Sequence, residues 1–201
     1  VPGQDLDAYW AKISALLKAR VDSASIAWPE EVLVCPRDKA SPKAFAMRRA
    51  VGPGLDALLL PAERQALGLH WGCAEFVTLA LLLCDLFSFT ELHGFTQNDT
   101  HPGQYIVALD RWGKKPKAVI RVDTPAFSFW HGQVYYGTDG ARWDYVPPEL
   151  QWLGRRPEGL KGHMIPREAD RFERTSLVFQ VLTGGAPTDY VDGNPDPGRR
   201  V

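Results

Sequence analysis

The chain has 201 residues, 45% of them apolar and 23% charged, and a net charge of −1. This is ordinary globular composition, long enough for one domain with a sizeable core. The near-neutral balance gives no electrostatic basis for nucleic acid or an anionic membrane as partner. The three cysteines, Cys35, Cys73 and Cys84, form no disulfide framework and fit a reducing place of action such as the cytoplasm. Sixteen prolines and eighteen glycines point to extensive loops. The longest apolar run, 76–89, is interrupted by Thr78 and Asp85 and reads as too short for a membrane span. The chain opens Val1-Pro2-Gly3-Gln4, with neither an initiator methionine nor a signal pattern. It is expected to be a module cut from something longer, of the toxin or effector kind.

In chain order, residues 5–20 predict an amphipathic helix, with Leu6, Tyr9, Trp10, Ile13, Leu16 and Leu17 on one face. Acidic residues open it and basic residues close it, as the helix dipole prefers. Val32-Leu33-Val34 predicts a short strand. Ser41-Pro42, a cap followed by proline at the first helical position, predicts a second helix over 41–51, stopped by Gly52-Pro53-Gly54. Residues 55–60 and 61–67 predict a short helical approach to Gly68. From Phe76 to Leu86 the chain is apolar almost all round, the pattern of a helix enclosed by its domain. Beyond Leu86 the texture turns to strand. Runs rich in Tyr, Val, Ile and Trp cover 104–110, 117–123, 129–136 and 141–146, separated by turn residues. Residues 176–183 predict a fifth strand, and 150–174 irregular chain with one helical turn. After Gly184, Pro, Gly and Asp dominate, and 184–201 is expected to be a loose tail on a single domain of 1–183. Helices first and an antiparallel sheet afterwards make an α+β domain, with the central helix packed on the sheet.

Cys73 falls in the first turn of the central helix. There, unpaired N–H groups and the positive end of the dipole favour the thiolate, the nucleophilic form. An isolated cysteine beside such a helix is also commonly a small core residue. A thiol nucleophile needs a base within hydrogen-bond reach and a third group to orient that base. Of the five histidines, His131 begins a strand, Trp130-His131-Gly132-Gln133-Val134-Tyr135-Tyr136, which is followed by a turn and by Trp143-Asp144-Tyr145. A rigid strand suits a general base. His93, His101 and His163 read as surface or structural residues. His70, three residues before Cys73, is a turn residue, an oxyanion donor or a substrate contact. Cys84, about 16 Å along the helix from Cys73, is expected in the core. No Cys-x-x-Cys or His-x-x-x-His spacing points to a metal, and there is no Gly-rich phosphate loop.

Gly72-Cys73-x-x-Phe76-x-x-Leu79-x-x-Leu82-Leu83 resembles the nucleophile helix of transglutaminase-like enzymes in the papain-like superfamily. His131-x-x-Val134-Tyr135-Tyr136 with Asp139-Gly140-x-x-Trp143-Asp144 resembles the same family's histidine strand, turn and tryptophan–aspartate strand. The order Cys, His, Asp is the family's order, and the resemblance covers 69–148. Gly132 and Gln133 depart from the residues that often follow the family's histidine. The resemblance implies a papain-like fold with a buried nucleophile helix on an antiparallel sheet. It implies a Cys73–His131–Asp144 triad acting on amide bonds of a protein or peptide substrate, without a cofactor. Water as acceptor makes a cysteine protease or glutamine deamidase, and an amine makes a transglutaminase. His70, Trp71, Trp130, Gln133 and Trp143 would line the substrate site.

Asp144 reaches His131 if the turn is Thr138-Asp139, which sets the two residues diagonally across the hairpin, or if a bulge shifts the register; an Asp139-Gly140 turn carries them roughly 13 Å apart. Asp123 is the substitute. Two other readings stand beside this one. A cell-wall peptidase of the NlpC/P60 kind also places Cys on a helix and His on a strand, but its Asp-Cys-Ser-Gly-Phe is not present. The other is a non-catalytic protein-binding domain in which Cys73 is structural.

Overall fold

The computed structural model describes residues 6–35, 38–138, 145–150 and 164–184. Its helices and strands are, in chain order, α1 (Leu6–Lys18), β1 (Pro29–Cys35), β2 (Asp38–Met47), α2 (Leu55–Leu59), α3 (Pro61–Ala66), α4 (Cys73–Leu92), β3 (Tyr105–Leu109), β4 (Pro116–Arg121), β5 (Phe129–His131), β6 (Val134–Tyr136) and α5 (Arg167–Thr183). The class is α+β, as expected. The strands form three antiparallel pairs, β1–β2, β3–β4 and β5–β6.

The β3–β4 hairpin is the platform. Its turn is held by Asp110 Oδ1, which accepts the N–H groups of Lys114 (2.8 Å) and Lys115 (3.3 Å). Single bridges extend it on both sides, Gly54 to Ile106 and Ile26 to Arg121. The approach beside Gly54 is close: a Cβ on Gly52 would stand 2.1 Å from the Val107 carbonyl oxygen, and its φ of +147° is one that L side chains rarely adopt. α4 lies on β4, with Leu79, Leu83 and Leu86 turned inward at helical spacing. They meet Val107 and Val119 from the platform, Leu177 and Val181 from α5, and Ile13 and Leu16 from α1 in one core. Trp28 ties α1 to this core by donating its indole N–H to Leu16 O at 2.9 Å. Its ring stands edge-on to Phe95 and Phe127, with centroids 5.1 and 6.2 Å away.

Several elements differ from expectation, each for a local reason. The cap-like Ser41-Pro42 starts no helix, because its segment pairs with β1 and Val32 and Phe45 both pack on the core. Pro42 is accommodated opposite Val34, where the register shifts. The run 129–136 is not one strand: it folds back as β5 and β6 about Gly132-Gln133, with Gly132 at φ +61°. Residues 176–183 belong to α5 and not to a strand, and α5 begins at Arg167, inside the segment expected to be irregular. Their run Leu177-Val178-Phe179-Gln180-Val181-Leu182 is locally strand-like, yet Glu173, Leu177 and Val181 repeat every four residues on a buried face.

α4 differs most in consequence. It is not enclosed: Val77, Leu81 and Leu92 are 48%, 61% and 82% exposed, and Cys84, expected in the core, faces solvent. At 20 residues it is also longer than the sequence reading gave, and long and apolar enough by length and composition to cross a membrane. Its inner face is nonetheless part of the core. Residues 141–144 of the expected strand over 141–146, residues 151–163 of the expected irregular segment with His163, and residues 185–201 of the expected tail lie outside the described residues.

Candidate functional site

Cys73 is the first residue of α4 and is exposed. Gly72 precedes it as N-cap and donates its N–H to Glu75 Oε2 at 2.9 Å. That bond holds the Glu75 carboxyl below its usual range. Trp71 is fixed beside this turn: its indole N–H donates to Lys114 O at 2.7 Å, and its ring meets Phe76 edge-on at 5.9 Å. Arg64 lies over the Phe76 ring at 4.9 Å, and Lys114 Nζ donates to Gly68 O at 3.3 Å. His70 is exposed. The mouth of α4 is therefore a polar, open corner formed with the β3–β4 turn, with a carboxylate already seated on the helix terminus.

His131 is anchored elsewhere. It closes β5 opposite Val134, beside an exposed Gln133. Trp130, 57% exposed, packs on Tyr135 with ring centroids 5.3 Å apart. The hairpin is fastened by Ser128 and Thr96, which exchange backbone hydrogen bonds of 2.7 and 2.8 Å. Phe129 adds contacts to Phe95 and Tyr136. Thr96 follows the C-terminal end of α4, whereas Cys73 opens it, and a 20-residue helix spans about 30 Å. Among the described residues no hydrogen bond or ion pair joins Cys73 to His131. Asp144 and Trp143 lie outside the described residues. β6 takes β5 as its partner on one side. Asp123, at φ +55°, accepts from Gln104 Nε2 at 3.2 Å and makes no described contact with His131.

The carboxylate-paired histidine that the structure does show is His101, whose Nε2 lies 3.7 Å from Asp99 Oδ2. Its Nδ1 accepts from Gly103 N–H at 3.2 Å, so both ring nitrogens are occupied and the residue caps a short 3₁₀ turn. Asp99 also accepts from Gln104 Nε2 at 3.0 Å. Burial acts to raise the Asp99 carboxyl, but His101, Arg121 and Gln104 outweigh it and leave it below its ordinary value.

Behind Asp99 lies a buried polar network that the sequence reading missed. Arg121, fully buried, donates through both terminal nitrogens to Asp99 O at 3.2 Å. Asp170 Oδ1 accepts Gln97 N–H at 3.0 Å and pairs with Arg174, while Glu173 Oε2 accepts Thr100 N–H at 3.1 Å. Arg174 also donates to Phe87 O at 3.1 Å. Tyr105 donates to Gln97 Oε1 at 2.7 Å, and Gln97 donates to Thr90 at 3.0 Å. Burial raises the Asp170 carboxyl against the pull of Arg174, and it pushes the Glu173 carboxyl up to about 8. The sequence signal was the unbroken polar run Gln97-Asn98-Asp99-Thr100-His101 between a helix and a strand, which reads equally as a solvated loop.

Two cavities among the described residues, beside Trp28 and Arg48, hold about 10 and 20 Å³, the scale of a single water. Neither touches Cys73 or His131. No set of three or more His, Cys, Asp or Glu side chains among the described residues is arranged to hold a metal ion. No protein-family model matches the chain, and no curated protein matches it.

Proposed function

We propose that this chain is a protein-recognition domain whose contact surface is the outer face of α4, and that its occupant is an amphipathic helix carrying basic residues beside its apolar stripe. One observation carries the reading. Ala74, Val77, Leu81, Cys84, Ser88 and Leu92 follow one another at helical spacing along an exposed face, a seam of the kind that receives a second helix. Single exposed apolar residues are ordinary on protein surfaces; here Val77, Leu81 and Leu92 share one face of one helix, with the small side chains of Ala74, Cys84 and Ser88 between them. α5 runs back along α4, since Arg171 and Arg174 meet Glu91 while Leu177 and Val181 share the core with Leu79 and Leu83.

Charge selects the occupant. α4 carries no basic residue; of its acids, Glu75 is bonded to the Gly72 N–H and Glu91 is paired with Arg171 and Arg174, which leaves Asp85 as the exposed one. A second copy laid on this face sets acid against acid, whereas Lys or Arg flanking an apolar stripe complements it. The test uses two model peptides, amphipathic helices of Leu with Lys and of Leu with Glu, read by fluorescence anisotropy and by protection of Cys84 from iodoacetamide. The expected result is binding of the Lys peptide alone, lost in Leu81→Glu and weakened in Asp85→Lys. Equal binding of both peptides, or of neither, overturns the proposal. So does a concentration-dependent dimer abolished by Leu81→Glu, which makes a second copy the occupant. Recruitment to zwitterionic vesicles makes it a bilayer.

A second reading, thiol-dependent acyl transfer on amide bonds of a protein, is supported by the exposed Cys73 in the first turn of α4, where the transglutaminase-like resemblance puts its nucleophile. The papain-like form of the α+β fold belongs to this reading. Cys73 thiolate would attack the carbonyl and His131 would carry the proton, which requires the β5–β6 hairpin to leave its anchor at Thr96. Iodoacetamide labelling mapped by mass spectrometry tests it. Cys73 reacting ahead of Cys84, with the preference lost in His131→Ala, supports the pair. Equal labelling of both thiols, unchanged in that variant, ends it.

A further inference from the structure

The two carboxylates that fasten α5 to the body are among the most deeply buried groups in the protein. Asp170 and Glu173 are each 2% exposed, beside Arg174 at 5% and Arg121 at 0%. Their roles differ. Asp170 has Arg174 as a direct partner and accepts Gln97 N–H. Glu173 has no described ion pair; its described bond is the one accepted from Thr100 N–H. The groups that face it are Thr100 and Asp99 from the 97–100 segment, Arg121 from β4, and Asp170 on its own helix; Tyr105 of β3 belongs to the same network. Asp99 and Asp170 repel a charged Glu173, while Arg121 attracts it but already donates through both terminal nitrogens to Asp99 O. Asn98 Oδ1 in this segment has no hydrogen-bond partner, and neither have the Nε donors of Arg121 and Arg174; the Thr100 side chain bonds to the Tyr105 hydroxyl. A neutral carboxylic acid supplies the O–H donor that a carboxylate lacks.

We propose that α5 is held on the body by a proton-dependent latch, in which Glu173 docks against Thr100 as the neutral acid and the open form of α5 carries it ionised. Opening moves the carboxyl into water and releases its proton to solvent. The sign follows from linkage. The docked form keeps the proton up to about pH 8, whereas an exposed carboxyl loses it near its ordinary value of 4.5. Between those limits the open form has fewer protons, so rising pH favours opening by up to tenfold per pH unit. Above the upper limit both forms are ionised and the dependence levels off. Asp170, also raised, acts in the same direction. Asp99, held below its ordinary value, titrates outside this window. The latch does not rest on the recognition reading, since it involves the inner face of α5.

Hydrogen–deuterium exchange of α5, corrected for the intrinsic pH dependence of amide exchange, reads the opening directly. From about pH 5 to about pH 8 the protection of Leu177 and Val181 relative to β3 is expected to fall by roughly a hundredfold or more. In Glu173→Gln, whose amide keeps the acceptor and supplies N–H donors, the fall is expected to shrink to the part that Asp170 contributes. Constant protection in the wild type, or an equal slope in the variant, overturns the latch. The ¹³C titration of the Glu173 carboxyl in the wild-type protein decides the matter even if the variant fails to fold. A midpoint above 7 supports the proposal, and any lower midpoint overturns it.

Discussion

Leu81 and Leu83 stand two residues apart on one helix, and the fold assigns them opposite surroundings. Leu83 is fully buried and Leu81 is 61% exposed. Truncating Leu83 to alanine removes a core side chain and leaves a cavity that the packed elements only partly close, which costs about 3–5 kcal/mol. For Leu81 the fully buried value of roughly 1.5–3 kcal/mol applies only to the minority of the side chain that is covered. Alanine also returns a few tenths in helix propensity, so the net cost is about 1 kcal/mol at most. Urea unfolding of both variants at two protein concentrations measures the contrast. Thermal midpoints are expected to fall by about 10 °C for Leu83→Ala and by no more than about 4 °C for Leu81→Ala. Comparable losses at both positions would refute the reasoning, because they require α4 to be covered on both faces. A Leu81→Ala loss that grows with protein concentration would place that cover in a second molecule.

Other outcomes follow from the same geometry. Gly52→Ala is expected to destabilise the fold by more than the ~1–3 kcal/mol of backbone strain alone, since its Cβ meets Val107 O at 2.1 Å; Gly113→Ala, at φ +66° in open space, costs only about 1–2 kcal/mol, and thermal denaturation of the pair separates strain from collision. Asp99, whose folded value lies below its ordinary 3.8, contributes stability that is fully present above that pH and lost as pH falls through the lowered value. Asp99→Asn is therefore less stable at neutral pH and shows a shallower acid limb in urea titrations. Cys73 and Cys84, both exposed, are expected to take iodoacetamide faster than the half-buried Cys35, and mass spectrometry of the native protein measures the order.

The features legible in the sequence are those set by neighbours along the chain. Leu6 to Lys18 is helical because its apolar spacing and terminal charges agree. Gly72-Cys73 starts a helix, for which local backbone preferences suffice. The β3–β4 hairpin follows from two β-rich runs and an Asp-to-Gly turn between them. The α+β class was readable from the same alternation of patterns.

What only the tertiary structure decided depends on partners distant in sequence. Ser41-Pro42 has the chemistry of a helix start, yet pairing with β1 makes it strand. Residues 176–183 look like strand until the charged residues upstream are seen to be buried on the same helix: Asp170, Glu173 and Arg174 answer Gln97, Thr100 and Phe87 across more than seventy positions. Composition showed that α4 is apolar all round, but not which side would be covered, because coverage depends on how many elements reach it. Pairing of Cys73 with His131 was a statement about distance. The anchor of the β5–β6 hairpin at Thr96, beyond the far end of α4, is a long-range contact that no motif encodes.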